Sequence, residues 1–402
     1  MGWKSECGTV KISIHRLLRR WRLPLCATGV FVAAMIAAAP APATTPWSAV
    51  AVGNAHACGI RAGHLYCWGY DHYGQVGNGS GSSADVESPT PIGSAADWTV
   101  VSAGGNSTCA IRAGRLYCWG SDGTGEAGNG PTSSANVTYP KPVGTATDWT
   151  TVSAGGSNAC GLRAGRLYCW GDDTLSLVGD NAPYGNAVPS PKQIGTFSDW
   201  TSVDVGTQNA CAIRVGHLYC WGYDMGGGAG NGSATNATVK SPQPISSAGG
   251  WTKATVGHGF ACAIHSGALY CWGSDTDGQL GNGSASSSNV TYPKPVAAAA
   301  TDWTRVSAGG FHTCAIRAAD LYCWGSDGLG EVGNGPETHA NVTYPKPIST
   351  SINWTKVDAG GNSSCGIGDG HMYCWGSDGT GEAGNGPGGP TVVTYPHLVV
   401  GG

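Results

Sequence analysis

The sequence predicts an all-β protein, a seven-bladed β-propeller with one disulfide inside each blade. Three observations predict it. The phrase Cys, eight residues, Cys-Trp-Gly occurs seven times, and successive first cysteines stand 51, 51, 51, 51, 52 and 51 residues apart. So regular a period means one supersecondary unit copied seven times. Each copy opens on a tryptophan: Trp47, Trp98, Trp149, Trp200, Trp251, Trp303 and Trp354. The 402 residues include 67 Gly and 22 Pro, set in short clusters between apolar runs, which is the pattern of tight turns between short strands. The 41% hydrophobic content is enough to build a core.

The N-terminus differs in kind from the rest. Lys4, Lys11, Arg16, Arg19, Arg20 and Arg22 make a basic stretch, Leu23 to Ala39 is apolar, and Ala41-Pro42-Ala43 offers small residues for cleavage. That order is the order of a secretory signal peptide, expected over residues 1–43. An uncleaved membrane anchor is the alternative, the apolar run being at the low edge of a spanning length. Arg19-Arg20 also admits a twin-arginine signal. After cleavage, 15 Lys and Arg face 24 Asp and Glu. An acidic chain with sparse lysine does not suit nucleic acid, whose binding leans on phosphate neutralisation. The propeller is expected over residues 47–402.

Within a copy, the second reads Trp98-Thr-Val-Val-Ser-Ala-Gly-Gly, a first short strand. Cys109-Ala-Ile-Arg-Ala-Gly-Arg-Leu-Tyr-Cys118 follows as a hairpin. A two-residue loop at Ala113-Gly114 sets Cys109 opposite Cys118 in a non-hydrogen-bonded pair, where Cα atoms come about 4.5 Å apart. That is within reach of a disulfide. A three-residue loop would set Cys109 opposite Tyr117 instead, and the sixth copy has Ala318-Ala319 with no glycine. The cysteines favour the two-residue register. Cys58 then pairs with Cys67, Cys109 with Cys118, Cys160 with Cys169 and Cys211 with Cys220. Cys262 pairs with Cys271, Cys314 with Cys323 and Cys365 with Cys374. Free thiols and metal ligation are the competing readings; the latter lacks short Cys-x-x-Cys pairs and repeat-phased His. Cys7 and Cys26 would leave with the signal. Beyond Trp119 comes a glycine-rich loop, and a fourth, weaker strand is expected near Pro142-Val143. Both hairpin faces are apolar, so the sheet must be covered on both sides, as the blade of a propeller is.

The phrase Val-Ser-Ala-Gly-Gly, the hairpin, and Gly-Gln-Leu-Gly-Asn-Gly at Gly278 to Gly283 resemble the regulator of chromosome condensation repeat. The resemblance covers residues 47 to 402 and implies seven blades; the kelch propeller fits less well. That family often has His two residues before the position of the first Cys, which this chain keeps only at His56 and His312. Guanine-nucleotide exchange and chromatin binding, which the resemblance brings with it, do not suit an exported acidic chain.

The third residue after each hairpin tryptophan is Asp: Asp71, Asp122, Asp173, Asp224, Asp275, Asp327 and Asp378. Carboxylates in glycine-rich loops can ligate Ca²⁺, but seven copies at one position fit better as acceptors of turn amides. Neither metal nor cofactor is expected, and there is no P-loop or nucleophile motif. Arg61, Arg112, Arg163, Arg214 and Arg317 read as blade-edge residues beside the turn. The expectation is a secreted or cell-surface (or periplasmic) binding scaffold for a protein or glycan, not an enzyme. An exported protein inhibitor of an enzyme is a specific version of it. A hydrolase or lyase at the channel mouth and a purely structural surface protein are alternatives. The stretches between Asn-Gly and the next tryptophan vary most, especially in the third and fourth copies, and recognition is expected there on one face. Tyr184, Phe197 and Met225 are the candidate contacts.

Overall fold

Each copy folds as four consecutive antiparallel strands. The first blade holds β1 (Trp47–Val52), β2 (His56–Arg61), β3 (His64–Gly69) and β4 (Val86–Pro91), and the order repeats without exchange to β28 (Val392–Leu398). The computed structural model describes residues 45–401 except 81–83, 131–134, 184, 234–236, 284, 286–288, 297–299 and 337–339. The expected signal segment therefore lies outside the described residues. No helix among those described is long and apolar enough to cross a membrane.

The hairpin register is the two-residue one in all seven blades. Cys109 faces Cys118, Ala110 faces Tyr117 and Ile111 faces Leu116. The disulfides are the seven expected within repeats. Cys58 is bridged to Cys67, Cys109 to Cys118, Cys160 to Cys169 and Cys211 to Cys220. Cys262 is bridged to Cys271, Cys314 to Cys323 and Cys365 to Cys374. Every bridged pair has its Cα atoms 4.1 Å apart. Both turn residues are left-handed, for example Ala113 at φ 46° and Gly114 at φ 71°. This is the primed turn that matches strand twist. Blade six reaches it without glycine: Ala318 sits at φ 49° and Ala319 at φ 68°. Left-handed backbone costs an L-residue about 1–2 kcal/mol, partly offset by the larger unfolded-state entropy of glycine. Ala319→Gly is expected to stabilise the protein by about 0.5–1 kcal/mol, read as a raised midpoint in urea with unchanged slope. A lowered midpoint would show that the alanine carries no strain there.

The fourth strand lies slightly earlier than the sequence suggested. In blade two it spans Val137–Pro142, and Val143 follows it, donating its N–H to Leu116 O. Prolines 140 and 142 stand in this outer strand. Proline, having no N–H to give a ladder, is confined to such edges and discourages sheet addition there.

Neighbouring blades are joined by a contact repeated around the ring. The hairpin tryptophan is buried and donates its indole N–H to a backbone carbonyl of the preceding blade, as in Trp119 to Gln75 O at 2.9 Å. The seam between last and first blades has the same bond, Trp68 to Glu382 O at 2.9 Å. The carbonyl is presented by the turn in which the repeated Asp acts. Asp71 Oδ1 accepts the Val76 N–H, and all seven aspartates do likewise. They are turn acceptors, as expected.

Candidate interaction surfaces at the two channel mouths

The first strand of every blade lines a central channel. Strand direction sorts the connections between its two ends. The Gly-Gly segments after the first strands and the long glycine-rich loops after the third lie at one end. The hairpin turns and the links between blades lie at the other.

Midway along the channel, the fourth residue after each opening tryptophan forms a ring: Ala51, Ser102, Ser153, Asp204, Thr255, Ser307 and Asp358. Six of these side chains accept a backbone N–H from the next blade, such as Ala154 N–H to Ser102 Oγ at 2.9 Å. Asp358 does so across the closing seam, taking Val52 N–H at 2.7 Å. Only Ala51 has no oxygen to offer. Ser153 and Ser307 donate their hydroxyls to Asp204 and Asp358 at 2.9 and 3.0 Å.

Burial pushes the Asp358 carboxyl up to about 7, against the pull of Val52 N–H and the Ser307 hydroxyl. It raises Asp204 for the same reason. Burial also holds His56 and His312 down to about 4; each imidazole Nε2 hydrogen-bonds a hydroxyl of the next blade, Thr108 at 2.8 Å and Ser364 at 2.7 Å. The two effects oppose. Asp358 binds its proton more tightly when folded, so its contribution to stability is full below the unfolded carboxylate value and is lost as pH rises to about 7. The histidines must stay neutral, so their contribution is present above about 6.5 and is lost as pH falls towards about 4. Asp358→Asn keeps an oxygen for Val52 N–H and removes the proton equilibrium. The thermal midpoint of the native protein is expected to fall relative to that variant as pH rises from about 5 to about 8. A gap constant over that range would contradict the assignment.

At the Gly-Gly end the repeat pattern breaks in blades four to six. Thr207 and His258 stand where other blades carry Gly or Asn, and Phe311 stands where they carry Ala, Asn, Ser, Gln or Gly; with Asn54 and Asn362 they line a cavity of about 260 Å³. Thr207 Oγ1 lies 2.8 Å from His258 Nδ1. The imidazole packs against Phe311 with ring centres 5.2 Å apart, and Phe311 is 41% exposed. At the opposite end lies a second cavity of about 260 Å³, lined by Lys253, Arg305 and Lys356 from blades five, six and seven, with Asp204 and Asp358 towards mid-channel.

The candidate contacts named from sequence do not gather on one face. Tyr184 lies outside the described residues, as does the side chain of Met225, whose backbone belongs to a short 3₁₀ turn at the long-loop end. Phe197 is at the opposite end, in the link to blade four, beneath the Arg214 guanidinium at 3.6 Å from the ring centre. The expectation of one face is therefore corrected. The variable stretches contain a whole strand, such as Val188–Gln193, which carries the chain from one end to the other. The blade-edge arginines close the turns: Arg112 pairs with Asp97 at 2.7 Å and Arg163 with Asp148 at 3.1 Å, each over its tryptophan ring. Thr207, His258, Phe311 and the three channel cations were missed. Aligning the seven copies and comparing the second, seventh and eighth residues after each tryptophan would have found them.

A closed ring of seven disulfide-stapled four-stranded blades, with two uneven mouths, is a scaffold of the β-propeller class, a fold that serves protein interaction. The family model for the regulator of chromosome condensation (RCC1) repeat matches residues 62–111, 113–162, 266–316 and 319–367, and a second model of that repeat matches 303–331. The chain belongs to this repeat family. The unmatched stretch 163–265 holds the later part of blade three, all of blade four and the first two strands of blade five.

Two relatives give the scale of divergence. The E3 ubiquitin-protein ligase HERC2 of Homo sapiens is 28% identical over 366 residues, covering 84% of this chain, which spans 7% of that protein's length. The ultraviolet-B receptor UVR8 of Arabidopsis thaliana is 26% identical over 355 residues, covering 84% of this chain and 78% of the receptor. Human WBSCR16 superposes with a TM-score of 0.73 at 16% identity, over 84% of this chain and 94% of that one. Yeast RCC1 (Prp20), solved bound to Kap60, gives 0.72 at 20% identity, over 88% and 85%. These likenesses show the fold.

Proposed function

We propose that this chain is an exported protein-binding scaffold whose partner docks at the long-loop end around blades four to six. The observation that carries the reading is the break in repeat symmetry there: His258 beside Thr207 and a part-exposed Phe311, at two positions where no other blade carries an aromatic ring. A part-exposed aromatic at a concave mouth is the kind of anchor that dominates protein interfaces. Export is supported by the basic, apolar, small-residue order of the N-terminus and by seven disulfides, which persist in oxidising compartments. Binding rather than catalysis is supported by the burial of His56 and His312 in blade contacts. Met225, whose backbone lies at that end in blade four, stays a candidate, and Phe197, at the other end, does not.

The test is capture of a partner from the native medium by the protein and by the double variant His258→Gly, Phe311→Asn, which installs residue types that other blades carry at these places. The variant is expected to melt as the native protein does and to bind the captured protein at least about tenfold more weakly, the scale of one interface anchor. Unchanged affinity would place the site elsewhere, and capture of a glycan alone would overturn the choice of a protein partner.

A further inference from the structure

The second residue after the opening tryptophan is the column of the repeat that faces the channel at the end opposite those long loops. Read around the ring it is Ala49, Val100, Thr151, Ser202, Lys253, Arg305 and Lys356. Four uncharged residues are followed by three cations on consecutive blades, and all three cations line the same cavity of about 260 Å³. In a chain whose acids outnumber its bases beyond residue 43, that concentration is not what composition alone would place there.

The three cations differ from the other arginines of the repeat. Arg112, Arg163, Arg214 and Arg317 each pair with the aspartate immediately before their own blade's opening tryptophan. Among the described residues Lys253, Arg305 and Lys356 make no ion pair, although Asp204 and Asp358 lie in the same cavity. Those two carboxylates are engaged with the wall: each accepts a serine hydroxyl on one oxygen and a backbone N–H on the other. Packing does not call for the cations, since blades one to four close with Ala, Val, Thr and Ser at the same place.

We propose that this mouth binds a compact polyanion, a small molecule bearing at least two carboxylate or phosphate charges, with Lys253, Arg305 and Lys356 as its charge partners. A guanidinium fork matches either oxyanion in a bidentate manner, and two ammonium groups supply point charges beside it. A multiply charged ligand gains from all three at once, whereas a monoanion has one charge to share among them. Burial and the neighbouring Arg305 and Lys253 together hold the Lys356 amine below its usual value, a repulsion that a bound anion would relieve. The partner surface proposed above lies at the other end of the channel, so this inference stands apart from it.

The experiment is calorimetric titration of the whole protein with pyrophosphate and, separately, with citrate, at low and at near-physiological ionic strength, with acetate as the monoanion. The comparison is the triple variant Lys253→Ser, Arg305→Thr, Lys356→Thr, built from residue types other blades carry there. At least one polyanion is expected to bind, more weakly as salt rises, with acetate much weaker and the triple variant weaker by at least about tenfold. Pyrophosphate alone would mark a phosphate site, citrate alone a carboxylate site, and both a site that reads charge. Should the triple variant not fold, Arg305→Thr alone must weaken binding. His258→Gly with Phe311→Asn must leave it unchanged. No saturable heat with either polyanion at low salt, or equal binding by a folded triple variant, overturns the proposal.

Discussion

Complete reduction of the seven disulfides is expected to unfold this protein rather than loosen it. Each bridge closes a hairpin loop of about ten residues, worth roughly 2.5–3 kcal/mol in the chain-entropy account. Seven such contributions exceed the roughly 5–15 kcal/mol net stability of an ordinary domain. The sulfurs are out of reach in the folded state, every bridged cysteine being 0–1% exposed. Reductant should therefore act only through opened molecules. In buffer with excess dithiol the native protein is expected to persist at room temperature, and then to melt irreversibly at a midpoint tens of degrees below that of the oxidised form. Once reduced and alkylated, it should show no cooperative transition by circular dichroism. Reduced, alkylated protein that still melted cooperatively near the oxidised midpoint would show that contacts between blades suffice alone.

The second large effect is expected from one methyl group. The first glycine after each inner strand (Gly53, Gly104, Gly155, Gly206, Gly257, Gly309, Gly360) sits where blades converge on the channel. At Gly206 a β-carbon would lie 2.5 Å from the carbonyl oxygen of Gly257 and 2.9 Å from Val256 Cγ1. Its backbone is not left-handed, so the prohibition is one of space, not of φ. The obstructing atom is backbone of the adjacent blade, which cannot swing aside as a side chain does. Gly206→Ala is expected to cost about 3 kcal/mol, the upper range for overpacking. Gly123→Ala is the control, with no atom within 4 Å of its β-carbon. It should change stability by less than about 0.5 kcal/mol. Paired urea melts separate the two. Equal midpoints would show that the blades can move apart at the mouth.

The same glycines show what a single sequence leaves unread. Ala-Gly-Gly repeats plainly, yet nothing within one copy says that its first glycine abuts a carbonyl of the next blade. The glycine of Gly-Asn-Gly is similar. A β-carbon at Gly128 would lie 2.5 Å from the Trp170 indole nitrogen, in the following blade. His56 and His312 looked like remnants of a family pattern and proved to be buried links between blades. Phe197 and Met225 do not share a face, because a whole strand, Val188–Gln193, carries the chain to the other end before Phe197.

What the sequence determined by itself is the set of features whose contacts close within about ten residues: the hairpin register, the disulfide pairing, and the aspartate that caps its own turn five residues on. Spacing and alternation specify these because the chain between the partners is too short to take another course. The period of the repeat then set the number of blades. The tertiary structure alone decided what depends on partners a full repeat apart: the ring of side-chain acceptors between inner strands, the glycines that let blades meet, and which column faces the channel. Those features arise from the angle at which one blade packs on the next. That angle is a property of two surfaces in contact, and no residue within one copy carries it.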